Sequence, residues 1–108
     1  RLVVRSSNVS ERTIEYLAST SQNEYVLSDI AANPKTSIET LRSLEAKKNY
    51  LIDWGLSQNQ KSPPDVFSKL LDRKKYFTQR TTLDLLLRNP SIPSEVRTKA
   101  SVLLNEYK

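Results

Sequence analysis

Three regularly spaced asparagines constrain this chain more than any other feature of its sequence. Asn33 and Asn59 lie 26 residues apart, and Asn89 follows after a further 30 residues. The segments that end at these asparagines align with one another, and their apolar residues recur four positions apart, which is the spacing of neighbours on one face of an α-helix. One aligned column contains Ile30, Leu56 and Leu86. The sequence therefore predicts a helical unit that is repeated along the chain.

The hinge after each asparagine also has a repeated form. Thr36 and Ser62 are each followed three residues later by an acid, Glu39 and Asp65. A hydroxyl that accepts a hydrogen bond from a free backbone N–H, with an acid in the first turn, is a signal for a helix start. We therefore expect Thr36 and Ser62 to cap the helices that follow them, and we expect no side-chain cap at Ile92.

The asparagine itself is expected to end the preceding helix. In the segment AANPKTSIETL, Pro34 disfavours helical geometry at Asn33, and an asparagine side chain can bond the backbone exposed there. The repeated hinge therefore indicates a structural element rather than an active-site motif.

These patterns predict an all-α fold. Glycine occurs once, at Gly55, which argues against an all-β protein with many tight turns and against a glycine-rich phosphate loop. Short helix pairs cannot bury their apolar stripes alone, so we expect about three to four stacked pairs in an α-solenoid, with a compact four-helix bundle as the alternative. The predicted helices lie near residues 10–20, 24–32, 37–46, 50–58, 63–74, 79–88 and 93–106.

We interpret residues 1–108 as one helical repeat domain. The chain starts without methionine and ends inside an amphipathic pattern, so we expect it to be a fragment of a longer chain. The predicted repeat units are approximately residues 9–33, 36–59, 62–89 and 92–108.

The hinge segments resemble a known family. The stretches IAANPKTSIETLRSL and LLLRNPSIPSEVRTKA are similar to units of the leucine-rich-repeat variant family, which carry an asparagine-proline hinge before a short amphipathic helix. The resemblance covers roughly residues 23–104, although Gln60 stands where the family has proline. It implies a right-handed helical solenoid, related in shape to HEAT and armadillo repeats.

Catalysis is not expected. The chain has no histidine and no cysteine, which removes the commonest general base and any iron–sulfur or zinc site built from thiolates. The carboxylates of Asp29, Asp53, Asp72 and Asp84 have no companion nucleophile in the sequence pattern. The sequence therefore predicts a protein that is not an enzyme and that uses no cofactor and no metal.

A membrane partner is not expected either. No apolar run approaches the ~20 residues needed to span a bilayer, and no signal peptide opens the chain. We therefore expect a soluble protein, which we assign to the cytoplasm. Lys and Arg number 17 against 12 Asp and Glu, a net charge of +5 that suits an acidic partner but is moderate for a nucleic-acid binder.

The second helix of each pair provides the predicted binding face. A helical wheel places Val26, Leu27 and Ile30 inward, which leaves the opposite face of these helices exposed. Trp, Tyr and Arg contribute most to binding energies at protein interfaces, so we predict a protein or peptide partner here. The alternative is that Trp54 packs on a neighbouring repeat. The predicted partner-binding residues are Tyr25, Leu51, Trp54, Asp84 and Arg88.

A basic ridge is the second candidate surface. Lys47 with Lys48 and Arg73 with Lys74 form two basic pairs, each in the loop between the first and second helix of its unit. Stacking of the units would align the two pairs. The alternative to anion or nucleic-acid binding is a solvated loop with cations near helix C-termini. The predicted contacts are Lys47, Lys48, Arg73, Lys74 and Lys75.

Three functional hypotheses follow. The leading one is a scaffold for a protein or peptide, the second is nucleic-acid binding through the basic ridge, and the third is a structural segment with no ligand of its own. The identity of the partner and the oligomeric state are left open by the sequence.

Overall fold

The computed structural model describes residues 10–73 and 77–106, and within them it contains seven helices and no strand. The all-α prediction is confirmed, and each predicted helix end lies within three residues of the observed one. The helices are α1 (Glu11–Thr20), α2 (Glu24–Ala32), α3 (Ile38–Glu45), α4 (Tyr50–Gln58), α5 (Pro64–Leu71), α6 (Phe77–Arg88) and α7 (Ser94–Asn105).

The helices pack in chain order along two lines. The second helices of the pairs are neighbours, with α4 between α2 and α6, and the first helices α1, α3, α5 and α7 contact one another in sequence. Apolar residues from both lines form one buried cluster. The fully buried members with large side chains are Ile14, Ile30, Leu41, Leu44, Ile52, Leu56, Val66, Phe67, Leu70, Leu83 and Leu86.

Helix starts are repeated at the level of single hydrogen bonds. The Ser10 and Ser37 hydroxyls cap α1 and α3 by accepting from the N–H groups of Thr13 and Thr40, each at 3.2 Å. The unit that begins near residue 9 therefore starts its first helix in the same way as the next unit.

The second helices α2 and α4 start at asparagines. Each side chain accepts hydrogen bonds from the two N–H groups at the start of the helix. These caps are Asn23 and Asn49, which lie 26 residues apart, the same spacing as Asn33 and Asn59.

The predicted caps at Thr36 and Ser62 are wrong. Both hydroxyls point back to the preceding helix, where they donate to the carbonyls of Ile30 and Leu56, and both side chains are buried. Ser37 caps α3, while α5 begins after Pro63 without a side-chain cap. A buried hydroxyl needs a partner within the protein, so these two residues join consecutive helices instead of capping one.

The three hinge asparagines, Asn33, Asn59 and Asn89, form what we call the asparagine ladder. All three side chains are buried, and the Oδ1 atom of each accepts from the N–H two residues later, as the sequence predicted. The ladder also links units, because the side chains of Asn59 and Asn89 donate to backbone carbonyls of the hinge before them. Neither end of these hydrogen bonds is exposed, so each hinge fixes the position of the next.

Candidate binding face

The outward face of the second helices carries the residues that the sequence analysis selected. Tyr25 of α2 is 50% exposed and Arg88 of α6 is exposed, while Leu51, Trp54 and Asp84 are half-buried. They lie on three helices that pack side by side. The structure therefore places the selected residues on one continuous helical layer.

Tyr50 also belongs to this face, and sequence reasoning missed it. Its ring meets the ring of Trp54 edge to face, with centroids 5.2 Å apart and planes at 81°. Aromatic pairs of this geometry contribute about 0.5–1.5 kcal/mol beyond the area they bury. The spacing from Tyr50 to Trp54 is i to i+4 on one helix, which was the available signal. Tyr50 remains 42% exposed, so the pair presents an aromatic surface to solvent.

Gly55 determines how closely α2 and α4 approach each other beneath this face. A Cβ atom at Gly55 would lie 2.4 Å from the Ser28 carbonyl oxygen and 2.9 Å from Cβ of Ala31. In the same interface, the Ser28 hydroxyl donates to the Leu51 carbonyl at 2.7 Å. Only glycine allows this separation, so Gly55 brings α2, which carries Tyr25, close to α4, which carries Trp54.

The α6 margin of the face is charged. Arg88 Nη2 lies 3.1 Å from Asp84 Oδ2 in an i to i+4 ion pair, with side chains 75% and 49% exposed. A pair this exposed contributes little to stability, typically below about 1 kcal/mol. Both side chains can therefore exchange their mutual contact for contacts with a partner at small cost.

The basic ridge is only partly assembled in the described residues. Lys47 and Lys48 are exposed, and Lys48 has a positive φ of 52° in the loop before α4. Arg73, in contrast, points inward with a side chain only 15% exposed. Lys74 and Lys75 lie outside the described residues.

Arg73 lies in a buried ion cluster that the sequence analysis did not identify. Its Nε and Nη2 atoms donate to both oxygens of Asp53, at 2.8 and 3.1 Å. Its Nη2 atom also lies 2.8 Å from the backbone oxygen of Glu45 and 3.0 Å from the carboxylate of that residue. Lys69 is 3.7 Å from the same carboxylate. The Arg73 charge is therefore compensated inside the protein and is not presented to a ligand.

The carboxyl groups of this cluster are nearly inaccessible. The side chains of Asp53 and Glu45 are 5% and 7% exposed. Burial raises the pKa of Asp53, and the hydrogen bonds and charge of Arg73 offset only part of that effect. Burial opposes the charged form of Arg73, but Asp53 and Glu45 outweigh it and raise the pKa of Arg73. The cluster therefore favours the charged form of the Arg73 guanidinium, whereas burial disfavours the charged form of the Asp53 carboxylate.

Two cavities open at the loops that connect first and second helices. One of about 730 Å³ borders the ion cluster and is also lined by Lys48, Tyr50 and Thr82. The other, of about 390 Å³, occupies the corresponding place one unit earlier and is lined by Glu24, Lys47 and others. The first cavity is lined by three acidic and three basic side chains, so its formal charges balance.

Residues 10–73 and 77–106 contain no group of three or more acidic side chains placed to hold a metal ion. In the same part of the chain, no helix is both long and apolar enough to cross a bilayer.

Comparisons with known proteins found no relative. No family model matches the chain, and neither curated proteins nor solved structures gave a match.

Proposed function

We propose that this protein is a non-catalytic helical-repeat scaffold that binds a protein or peptide partner through the outward face of α2, α4 and α6. The observation that carries the proposal is the aromatic surface of this face, made by the edge-to-face pair of Tyr50 and Trp54 on α4 and the exposed ring of Tyr25 on the neighbouring α2. Partly exposed Trp and Tyr side chains on a rigid support lose little conformational entropy on binding and supply large contact areas.

The proposal extends to the architecture. The two lines of helices, taken with the asparagine ladder, are the arrangement expected of a right-handed α-solenoid similar to the leucine-rich-repeat variant family. The motif that supports this likeness is the repeated asparagine hinge. In such an architecture each unit adds one second helix to a common face, so a partner would lie across several units.

An extended peptide is the partner that fits this face best. The three second helices offer columns of side chains that change from aromatic at α2 and α4 to ionic at α6. A peptide that crosses the helices would place an apolar side chain against Trp54 and a polar group against the Asp84 and Arg88 pair. Burial of the apolar side chain would supply the affinity, and the ionic margin would select orientation.

The test is a selection of peptides from a display library against the folded chain, followed by affinity measurements on Trp54→Ala. We expect this variant to bind selected peptides at least about tenfold more weakly, which corresponds to about 1.4 kcal/mol, with helicity and melting temperature nearly unchanged. Tyr16→Ala is the matched control, because Tyr16 is 66% exposed on α1 and lies outside the proposed face.

Other outcomes would replace the proposal. Early unfolding of Trp54→Ala would identify Trp54 as a core residue rather than a contact residue. Equal loss of binding in Tyr16→Ala would mean that selected peptides bind exposed aromatics without using the face. Duplex or single-stranded DNA binding that weakens on neutralising Lys47 and Lys48, but not on Trp54→Ala, would establish the nucleic-acid alternative.

A further inference from the structure

The asparagine ladder repeats one pair of acceptors. Asn59 donates from Nδ2 to the carbonyl oxygens of Ala31 and Asn33, at 2.8 and 3.0 Å. Asn89 donates from Nδ2 to the carbonyl oxygens of Ser57 and Asn59, at 2.9 and 3.2 Å. In both cases the acceptors are the hinge asparagine of the preceding unit and the residue two positions before it. The pair is therefore a site that one unit presents and the next unit occupies.

The third pair of acceptors is occupied by a different residue type. By the same rule it consists of the carbonyl oxygens of Leu87 and Asn89. Arg97, in the first turns of α7, donates from Nη1 to Leu87 at 3.0 Å and from Nη2 to Asn89 at 3.2 Å. An arginine thus takes the place of the asparagine that a further hinge would supply.

The packing of α7 is a second, independent sign of a change at this end. The earlier first helices α3 and α5 touch the second helices before them over short stretches, whereas α7 contacts α6 extensively. Both observations concern the same junction, between α6 and α7.

We propose that Arg97 takes the ladder position at the third hinge and fixes α7 against α6 by holding the carbonyls of Leu87 and Asn89. This inference does not depend on the proposed binding function. Arginine suits the role because its planar guanidinium presents several N–H donors in a fixed fork and can reach two carbonyls from a neighbouring helix. With Arg97 in place, the carbonyls of Leu87 and Asn89 have side-chain donors from α7.

Hydrogen exchange of the full chain, measured amide by amide, tests this role in Arg97→Ala. We expect exchange in residues 86–105 to become roughly three- to tenfold faster, with little change in α2, because the loss of two hydrogen bonds loosens the last junction only. Lys99→Ala is the matched control, since Lys99 is an exposed cation on the same helix. It should leave exchange unchanged.

Arg97→Lys distinguishes bridging from simple charge. Lysine keeps the cation near the C-terminal end of α6 but cannot form the same fork, so we expect it to restore less than half of the lost protection, expressed as log exchange rate. Full restoration by lysine would mean that Arg97 acts only through its charge, and would overturn the proposal. Wild-type exchange rates in Arg97→Ala would overturn it as well.

Discussion

The two edges of this molecule are built on different principles. At the hinge edge, which comprises residues 33–37, 59–63 and 89–93, the same neutral hydrogen bonds recur in successive units. At the loop edge, where first helices lead into second helices, the asparagine caps of α2 and α4 recur but the ionic contacts differ, and one junction carries the ion cluster of Arg73, Asp53 and Glu45. Sequence repetition is therefore strongest at the hinge edge, which sets the spacing between units. The ionic contacts of the loop edge can differ from unit to unit.

The difference has a physical reason. A side-chain amide bonded to backbone carbonyls makes the same contacts in every unit, because the backbone is the same in every unit. An ion cluster depends on particular side chains that meet across units, so it need occur only where those side chains are present. We therefore expect substitutions of the hinge asparagines to lower the stability of the fold in every unit. At the loop edge, we expect a comparable loss of stability only from substitutions in the ion cluster.

The largest effect is expected at the hinge edge. Asn59→Ala removes two hydrogen bonds donated by Nδ2 and one accepted from Lys61; the Ala31 carbonyl loses its ladder donor, and the Asn33 carbonyl keeps the N–H of Thr36. We expect the free energy of unfolding to fall by about 4 kcal/mol, since three lost hydrogen bonds contribute about 1 kcal/mol each and a buried carbonyl without its donor costs about 1–3 kcal/mol. Urea denaturation measures the change. Gln60→Ala, an exposed change in the same hinge, should be nearly neutral, and a loss in Asn59→Ala as small as that control would contradict the ladder.

A smaller but still substantial effect is expected at the loop edge. Arg73→Met leaves Asp53 without its bidentate partner and Glu45 with only the more distant Lys69. We expect a loss of about 3 kcal/mol in the free energy of unfolding. This value is at the lower end of the range of about 3–5 kcal/mol for a broken buried ion pair, because Arg73 is partly exposed.

The chain offers a matched control for this change. Arg42 makes a bidentate pair of the same kind with Asp65, at 3.1 Å for both contacts, but the two side chains are 54% and 45% exposed. Arg42→Met should therefore cause a much smaller loss in the same urea experiment. Equal losses in the two variants would mean that burial does not distinguish the pairs.

The smallest effects concern pH, and the two pairs should differ in sign. Burial raises the pKa of Asp53 above its usual value of 3.8. The folded state then holds this proton more tightly than the unfolded chain, so the stability from this group is present below pH 3.8 and is lost as pH rises through the folded pKa. The hydrogen bond from Arg42 lowers the pKa of Asp65, so its stabilisation is present above the usual 3.8 and is lost as pH falls through the folded pKa.

Replacing each aspartate with asparagine separates the contributions of Asp53 and Asp65 to the pH dependence of stability. With the unfolding free energy measured between pH 2 and pH 6, the stability of Asp53→Asn should rise relative to wild type as pH increases above about 3.8. The stability of Asp65→Asn should fall relative to wild type as pH increases toward the same value, by a small amount because Asp65 is exposed. The same sign in both variants would contradict the assignment.

The local elements of the fold were predictable from sequence. Helix positions follow from apolar spacing and hinge composition, both of which act over a few residues, and the observed helices agree with the predicted ones. The caps at Thr36 and Ser62 failed because a hydroxyl at a hinge has two acceptable partners, and only burial against Ile30 and Leu56 decides between them. The exposed positions of Tyr25 and Arg88 followed from the wheel, but the pairing of Tyr50 with Trp54 required coordinates.

The sequence by itself determined the all-helical fold, the repeated hinge and the residues available to an outward face. Only the tertiary structure decided which polar groups meet. Arg73 lies 20 residues after Asp53 and 28 after Glu45 in the chain, and no local pattern distinguishes it from the neighbouring lysines of the predicted ridge. Arg97 likewise reads as an ordinary exposed helix residue until the carbonyls of Leu87 and Asn89 are placed beside it. Backbone periodicity is encoded within a few residues, whereas hydrogen-bond partners across units depend on how the helices pack.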